Sequence, residues 1–527
     1  MTATDPVAAL PEALPLPAAL PHASASPDSL FAAPQAEAVE TFESESNAAQ
    51  VALASFKTQS SLIIRVGLTT MGGAIALQSQ TAAYVSDADQ PGRRLTIPSG
   101  QVAIFKESAA KSLFARGVTF KGTIEISVGS RAFGAWQRPI VNVGGGPTRV
   151  STDGASPRWG RPYRGSFEIA PQSFSFESAR HKSSLRLVNL VPIEEYLKGV
   201  VPWEMNPSAP VESLKAQAIC ARGETLAKIQ GGRHRADGFD ICDYDHCQGY
   251  PGMENEAARS SLAVEQTVGL VLLHDGKIAD AVYGTNSGGI TADKNDVWRG
   301  GPEPHLQSVR DFDPKRHPET ARAVKQRMTE ADWLYYCTHN LPSYAQPGDD
   351  EVQALRARRR KSARTALLFQ ENDLPEFYRW SREVSLKDLA SAASAKTSTP
   401  FMSVEKIEVV DRAASGHIKK LDVIGKAADG SALRASYEKD GAIRSLLSGR
   451  LGSTTALPSS TFAVVPRMSG GTLTGFAFKG AGWGHGAGMC QRGAQNHALA
   501  GWDARRILQW YFNGVEVRPM PGVAPMP

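Results

Sequence analysis

Four stretches of this 527-residue chain carry side chains that could do chemistry. The first is Val200-Val201-Pro202-Trp203-Glu204-Met205, a lone glutamate between an indole and a thioether. Taking a carboxyl out of water disfavours its charged form, so Glu204 in apolar surroundings is a candidate general acid near neutral pH. A glutamate that faces solvent or caps a helix starting near Pro210 would have no such role, and the motif alone leaves both readings open. The second stretch runs from Asp240 to Gln248 and holds Cys242, His246 and Cys247, with His234 a little upstream. Two thiolates and an imidazole from His234 or His246 form a donor set suited to zinc. A disulfide or two free thiols are the alternatives.

The third stretch is Tyr283-Gly284-Thr285-Asn286-Ser287-Gly288-Gly289. Its hydroxyls and amide could orient a polyhydroxylated ligand, or it could simply close a glycine-rich hairpin. It is not the G-x-S-x-G nucleophile elbow. The fourth, Ala481 to Gln491, sets His485 among four glycines, next to Trp483 and ahead of Cys490 and Gln491. Glycines let a backbone approach a ligand closely. Gly484 and Gly486 are therefore expected to keep the chain clear of one, although a tight structural loop with His485 bonded to backbone is the simpler alternative. The segment lacks the strand–turn–helix context of a dinucleotide fingerprint.

The elements that must position these residues follow from periodicity. From residue 61 to about 190, short runs of alternating apolar residues between Gly, Pro and Ser predict antiparallel strands. The period then lengthens. Residues 193–201 predict a short helix, and 210–230 a longer one with Pro210 and Glu212 in its first turn and Gly231-Gly232 at its end. Glu204 is expected in the loop between them. A further helix is expected over 253–269, followed by a hairpin turning at Asp275-Gly276. Strands return over 404–425, and a helix is expected over 503–514.

Five cysteines in 527 residues do not make a disulfide framework. No run of about 18 apolar residues predicts a membrane span. Residues 1–60 hold seven acidic residues against one lysine, so the net +5 of the chain becomes +11 over the remainder. A basic body suits an anionic environment such as a cell wall, a membrane surface or nucleic acid, and a moderate excess does not choose among them. These first 60 residues, rich in Ala, Pro and Ser, read as a disordered leader and lack the charged start of a secretory signal. The basic run Arg356-Ala357-Arg358-Arg359-Arg360-Lys361 reads as a solvated helix face, and nucleic acid is not an expected partner.

Taken in order, residues 185–313 and 457–514 resemble the stage II sporulation protein D family, also called SpoIID/LytB or amidase-enhancer proteins. The motifs are "VVPWEM", "ICDYDHCQGY", "VYGTNSGGIT" and "GWGHGAGMCQRGA". The resemblance extends more weakly over 63–184 and 380–447. It implies an α+β fold, with a strand-rich N-terminal region (61–184) leading into a mixed helix and antiparallel-strand catalytic core (185–314 and 376–517). Residues 315–375 would be an insertion and 518–527 a flexible tail. It further implies a peptidoglycan lytic transglycosylase with Glu204 as general acid and base. Tyr283, Ser287, His485 and Gln491 would meet the sugar, and His485 should lie within one sugar's reach of Glu204. Cys242 and Cys247, with His234 or His246, would hold one structural zinc, and no organic cofactor is implied. Glycan strands and a cell-wall amidase are the implied partners, and the implied location is extracytoplasmic. One departure stands out: Gly284 replaces a histidine common in the family.

Overall fold

The computed structural model describes residues 62–68, 74–87 and 94–107, strand segments between 113 and 175, and residues 182–361, 373–447 and 457–521. The expected leader at 1–60 lies outside the described residues. So do the side chains of residues 358–361 in the basic run, which falls on the helix Asp349–Lys361. The fold is α+β.

Seven strands make one sheet in the order Ile241–Cys242, Ile63–Leu68, Lys182–Pro192, Ser166–Ser175, Ile124–Val128, Ala83–Asp87 and Arg94–Ile97. Alternation sets its register: Ile64, Val66 and Leu68 all point into the core. Its pairings are antiparallel, except that Ile63–Leu68 lies parallel to Ile241–Cys242. That exception sets Cys242 opposite Gly67 and anchors the start of the cysteine loop on the sheet. A six-stranded sheet built around Ala74–Ser79 and Val102–Glu107 packs its Ile75, Leu77 and Phe105 into the same core.

Helix α1 (Ile193–Glu204) follows directly from Lys182–Pro192, with Glu194 and Glu195 in the turn where the helix dipole favours acids. Glu204 is therefore the last residue of this helix and not part of a loop; the helix continues through Pro202 in its final turn, although Pro202 has no N–H to give the Lys198 carbonyl. Helix α2 (Val211–Gln230) starts after Pro210, ends at Gly231 and is buried on almost every side. Arg222 on α2 is fully buried, which is tolerable because Glu194 accepts two of its bonds, at 2.9 and 2.6 Å, and the Leu270 carbonyl accepts a third. Helix α3 (Ala258–Glu265) is shorter than the periodicity predicts. The hairpin turns at Asp275-Gly276 as expected, with positive φ at both residues. Strand Glu516–Pro519 pairs with Leu270–His274, so the expected tail begins inside a strand.

A second core lies between two three-stranded antiparallel sheets (Trp380–Ser385, Thr472–Gly480 and Phe462–Ser469; Ser403–Arg412, Ile418–Lys426 and Ala432–Glu438) and the helix Leu386–Ser394. Burying Phe462, Phe478 or Leu421 there contributes roughly 1.5–3 kcal/mol each relative to exposure. Residues 315–361 are largely helical. Helix α4 (Glu330–Thr338) starts at a reciprocal Thr329–Asp332 capping box and buries Trp333 and Tyr336 in a small third core with Ile290 and Phe312. Tyr336 Oη donates to the Gly288 carbonyl at 2.7 Å, so this excursion supports the 283–289 turn. Helices α5 (Gln491–Leu499) and α6 (Ala504–Tyr511) return to pack on α2.

Candidate active site and metal cluster

Three segments far apart in sequence converge on the end of α1. The Gly249 N–H donates to Glu204 Oε1 at 3.1 Å. Gln491, the first residue of α5, donates through Nε2 to the Glu204 main-chain carbonyl at 2.9 Å and to Gln217 Oε1 on α2 at 3.2 Å. Trp203, 49% exposed, lies against Gly249; a Cβ there would fall 2.0 Å from the indole Nε1, so only glycine allows the loop to pass. Burial pushes the Glu204 carboxyl up to about 7. The Gly249 N–H and Lys228 oppose this, while Glu224 and Asp245 reinforce it. At neutral pH the group is poised between acid and base.

Glu224, about two turns along α2 from Gln217, is also buried and raised, but Lys228 pairs with it at 2.6 Å and it belongs to the scaffold.

Tyr283 lies in a two-residue strand that pairs, in parallel, with Met489–Cys490. Its phenol is buried, and its Oη has no hydrogen-bond partner among the described residues. Burial, with the Glu204 and Glu224 carboxylates adding to it, keeps it protonated. His485 packs against Trp298, its ring tilted by 48° and 4.7 Å away, and accepts the Ala487 N–H on Nδ1 at 3.1 Å, which leaves its proton on Nε2. That proton is bonded to the Tyr283 backbone, and burial pushes the imidazole down to about 4, so it is neutral at physiological pH. Glu204 and His485 thus flank the same residue, Tyr283. A side chain at Gly284 would meet the His485 ring at 3.8 Å, so the space beside this glycine is lined by an imidazole from the glycine-rich segment.

Ser287 and Gln491 are placed differently from the expectation that they meet sugar. Ser287 is buried and its Oγ accepts from the Gly289 N–H at 3.2 Å. Gln491 is buried and its amide is used to hold Glu204 and Gln217. Both shape the site from beneath. Gly486 likewise serves the protein: its φ is +75°, and a Cβ would come 2.5 Å from Nε2 of the buried His417. The second core presents the glycine segment through His417, through the Phe377 carbonyl that accepts the Gly482 N–H and through the Pro458 carbonyl that accepts the Gly484 N–H. Sequence reasoning missed Gly249, Gln217, Trp298 and His417. Only Gly249 left a trace, as a glycine two residues beyond Cys247.

His234, Cys242, His246 and Cys247 bring their donor atoms within 4.8 Å of one another. Both expected histidines, His234 and His246, belong to this cluster. His246 Nδ1 lies 3.6 and 3.9 Å from the two sulfurs. His234 Nδ1 is bonded to Asp237 at 2.7 Å, and its buried Nε2 has no partner among the described residues. An orphaned imidazole nitrogen, oriented by a carboxylate behind it, suits a ligand to a cation. Ligation through His246 Nδ1 would move that proton to Nε2, where Arg233 Nε now lies at 3.2 Å, and would open that contact. The cysteines form no disulfide.

This combination of a helix-end glutamate, a Cys/His cluster and a glycine-rich wall on an α+β scaffold coincides with the matches to known proteins. Residues 181–274 match the stage II sporulation protein (SpoIID) model, and residues 292–488 match a domain of unknown function, DUF8618. The chain is 24% identical over 337 residues to an uncharacterized protein of Brachyspira hyodysenteriae, covering 64% of this chain and 69% of that one. It is 26% identical over 318 residues to the amidase enhancer of Bacillus subtilis, covering 60% of this chain. The chain spans 39% of the length of that second relative. The expected resemblance to the SpoIID/LytB family is supported by the SpoIID match over residues 181–274 and by the similarity to the amidase enhancer.

Proposed function

We propose that this chain acts on peptidoglycan as a lytic transglycosylase, with Glu204 as acid and then base. The observation that carries this reading is a carboxyl raised to about 7, held by one backbone N–H beside a half-exposed indole. The protonated carboxyl donates to the bridging oxygen between N-acetylmuramic acid and N-acetylglucosamine, and that bond breaks as the leaving hydroxyl forms. The resulting carboxylate then takes the proton of the muramyl C6 hydroxyl, whose oxygen closes on C1 to give an anhydro end. The proton is returned to Glu204 and no water is consumed. A hydrolytic glycosidase uses two carboxylates across the scissile bond; in the proposed route one suffices. His485, Trp298 and Trp203 line the place for the sugar, with Tyr283, Ser287 and Gln491 fixing its walls.

Cys242, Cys247, His234 and His246 are proposed to hold one structural zinc, which when bound would be a redox-inert cross-link of the loop carrying Gly249. The proposed setting is the cell wall, outside the cytoplasm, with glycan strands as substrate. No helix among the described residues is long and apolar enough to cross a membrane.

The test is incubation with peptide-stripped glycan strands and mass spectrometry of the products. Anhydromuramyl ends from the wild type that vanish with Glu204→Gln support the assignment; equal yields from both overturn it. The relative named amidase enhancer supports a second reading, a glycan-binding partner of an amidase. Amidase stimulation that survives Glu204→Gln, with no cleavage by either protein, would select that one.

A further inference from the structure

The carboxyl of Glu204 has one hydrogen-bond donor among the described residues, the N–H of the peptide unit that joins Gln248 to Gly249. The side chain of Gln248 holds the other half of that unit. It is buried, and its Nε2 donates to the Ala221 carbonyl and to Thr225 Oγ1, each at 3.1 Å and one turn apart on α2. Thr225 commits its own hydroxyl proton to the same Ala221 carbonyl, at 2.7 Å. Both neighbours are therefore acceptors, and only the amide NH2 can face them. Gln248 Oε1 is buried with no partner among the described residues. A buried acceptor without a donor weakens a fold, and an apolar side chain of the same length would avoid it. The amide is kept for what it holds.

The residues on either side are fixed as well. Lys228, near the end of α2, donates to the Cys247 carbonyl and pairs with Glu224 at 2.6 Å. Tyr250 is buried; its N–H donates to the Asp243 carbonyl at 3.0 Å and its hydroxyl to Asn189 Oδ1 at 3.1 Å. Gly249 is thus set by its neighbours, and α2 places a partner at each end of Glu204: Gly249 at the carboxyl, and Gln491, through Gln217, at the main-chain carbonyl. We propose that Gln248 is a positioning residue for Glu204, aiming through Gly249 the one hydrogen bond that its carboxylate receives; this rests on the reading of Glu204 as the acid. A donor there favours the ionised form and lets a buried carboxyl release its proton. The other groups acting on that carboxyl are Glu224 and Lys228 on α2, Asp245 in the cysteine loop, and the phenols of Tyr196 and Tyr283. All of them stay in place when Gln248 alone is changed.

The experiment is carbon-13 NMR of the full chain grown on carboxyl-labelled glutamate, with zinc content measured on the same samples. The Glu204 signal is assigned by its absence from Glu204→Gln. Gln248→Met keeps the length and removes the amide; it is expected to raise the Glu204 midpoint by about one pH unit, a tenfold tighter hold on the proton, at unchanged zinc content. Thr225→Val removes one of the two acceptors and should raise it by less. An unchanged midpoint in Gln248→Met overturns the proposal, and so does a rise found only where zinc is lost, because the metal then sets the loop. If Gln248→Met does not fold, Thr225→Val decides alone, and no rise in it overturns the proposal. The acid reading is judged by a different number: a wild-type midpoint near 4.5 counts against it and leaves the shift between variants measurable.

Discussion

Glu204 and Asp311 are both carboxylates withdrawn from water, and they are served very differently. Asp311 is fully buried and accepts from an indole, an imidazole and a phenol. Glu204 keeps one backbone N–H and sits at the edge of the fold. Three donors satisfy a carboxylate and make it a brace; one donor leaves it unsatisfied and ready to exchange a proton. The difference lies in the elements around them: Asp311 is enclosed by α5 and α6, whereas Glu204 ends a helix whose next residue already turns away.

Substitutions should separate the two regions. Glu204→Gln is expected to lower glycan cleavage on the order of a thousandfold without lowering stability, as measured by product release and urea unfolding. Asp311→Ala should do the reverse, costing about 3–5 kcal/mol in the same unfolding assay because three buried donors lose their acceptor. Equal destabilisation by both changes would erase the distinction. Next in size is the metal cluster. Elemental analysis should find about one zinc per chain, absent in Cys242→Ser, with a Tm several degrees lower in the variant.

Gly486→Ala is expected to cost about 2 kcal/mol, through its positive φ and its contact with His417, whereas Gly484→Ala meets backbone strain alone, at φ +106° with the nearest atom 4.0 Å from its Cβ. The raised Glu204 carboxyl also sets a pH dependence. The folded protein holds the Glu204 proton up to about pH 7, while the unfolded chain releases it near 4.5. This contribution to stability is full below about pH 4.5 and lost as pH rises through 7. The Tm of Glu204→Gln relative to wild type should therefore climb from pH 5 to pH 8, and cleavage by the wild type should fall above pH 7.

Local patterns were legible in the sequence and long-range supports were not. The strand-rich start, α2, the Asp275-Gly276 hairpin and the Cys/His cluster all rest on spacing within about twenty residues. Glu204 was found by its neighbours, but its place at a helix end depends on Pro202 being tolerated in the last turn, which no local rule dictates. Ser287 and Gln491 look like sugar-binding polar residues until their partners, Gly289 and Gln217, show them buried. The donors to Asp311 come from residues 497, 510 and 511, and no periodicity links those positions to it. Gly486 was expected to make room for a ligand, yet His417, from the second core, fills the space beside it.

The pairing of Glu516–Pro519 with Leu270–His274, together with the grip of Gln491 on the Glu204 carbonyl, has a consequence for biosynthesis. The acid leaves the ribosome nearly three hundred residues before the amide that seats it. A nascent chain that has finished the helices up to residue 265 still lacks the neighbour strand and the cap on its glutamate. The surroundings of Glu204 are therefore complete only once the chain has been translated to about residue 519.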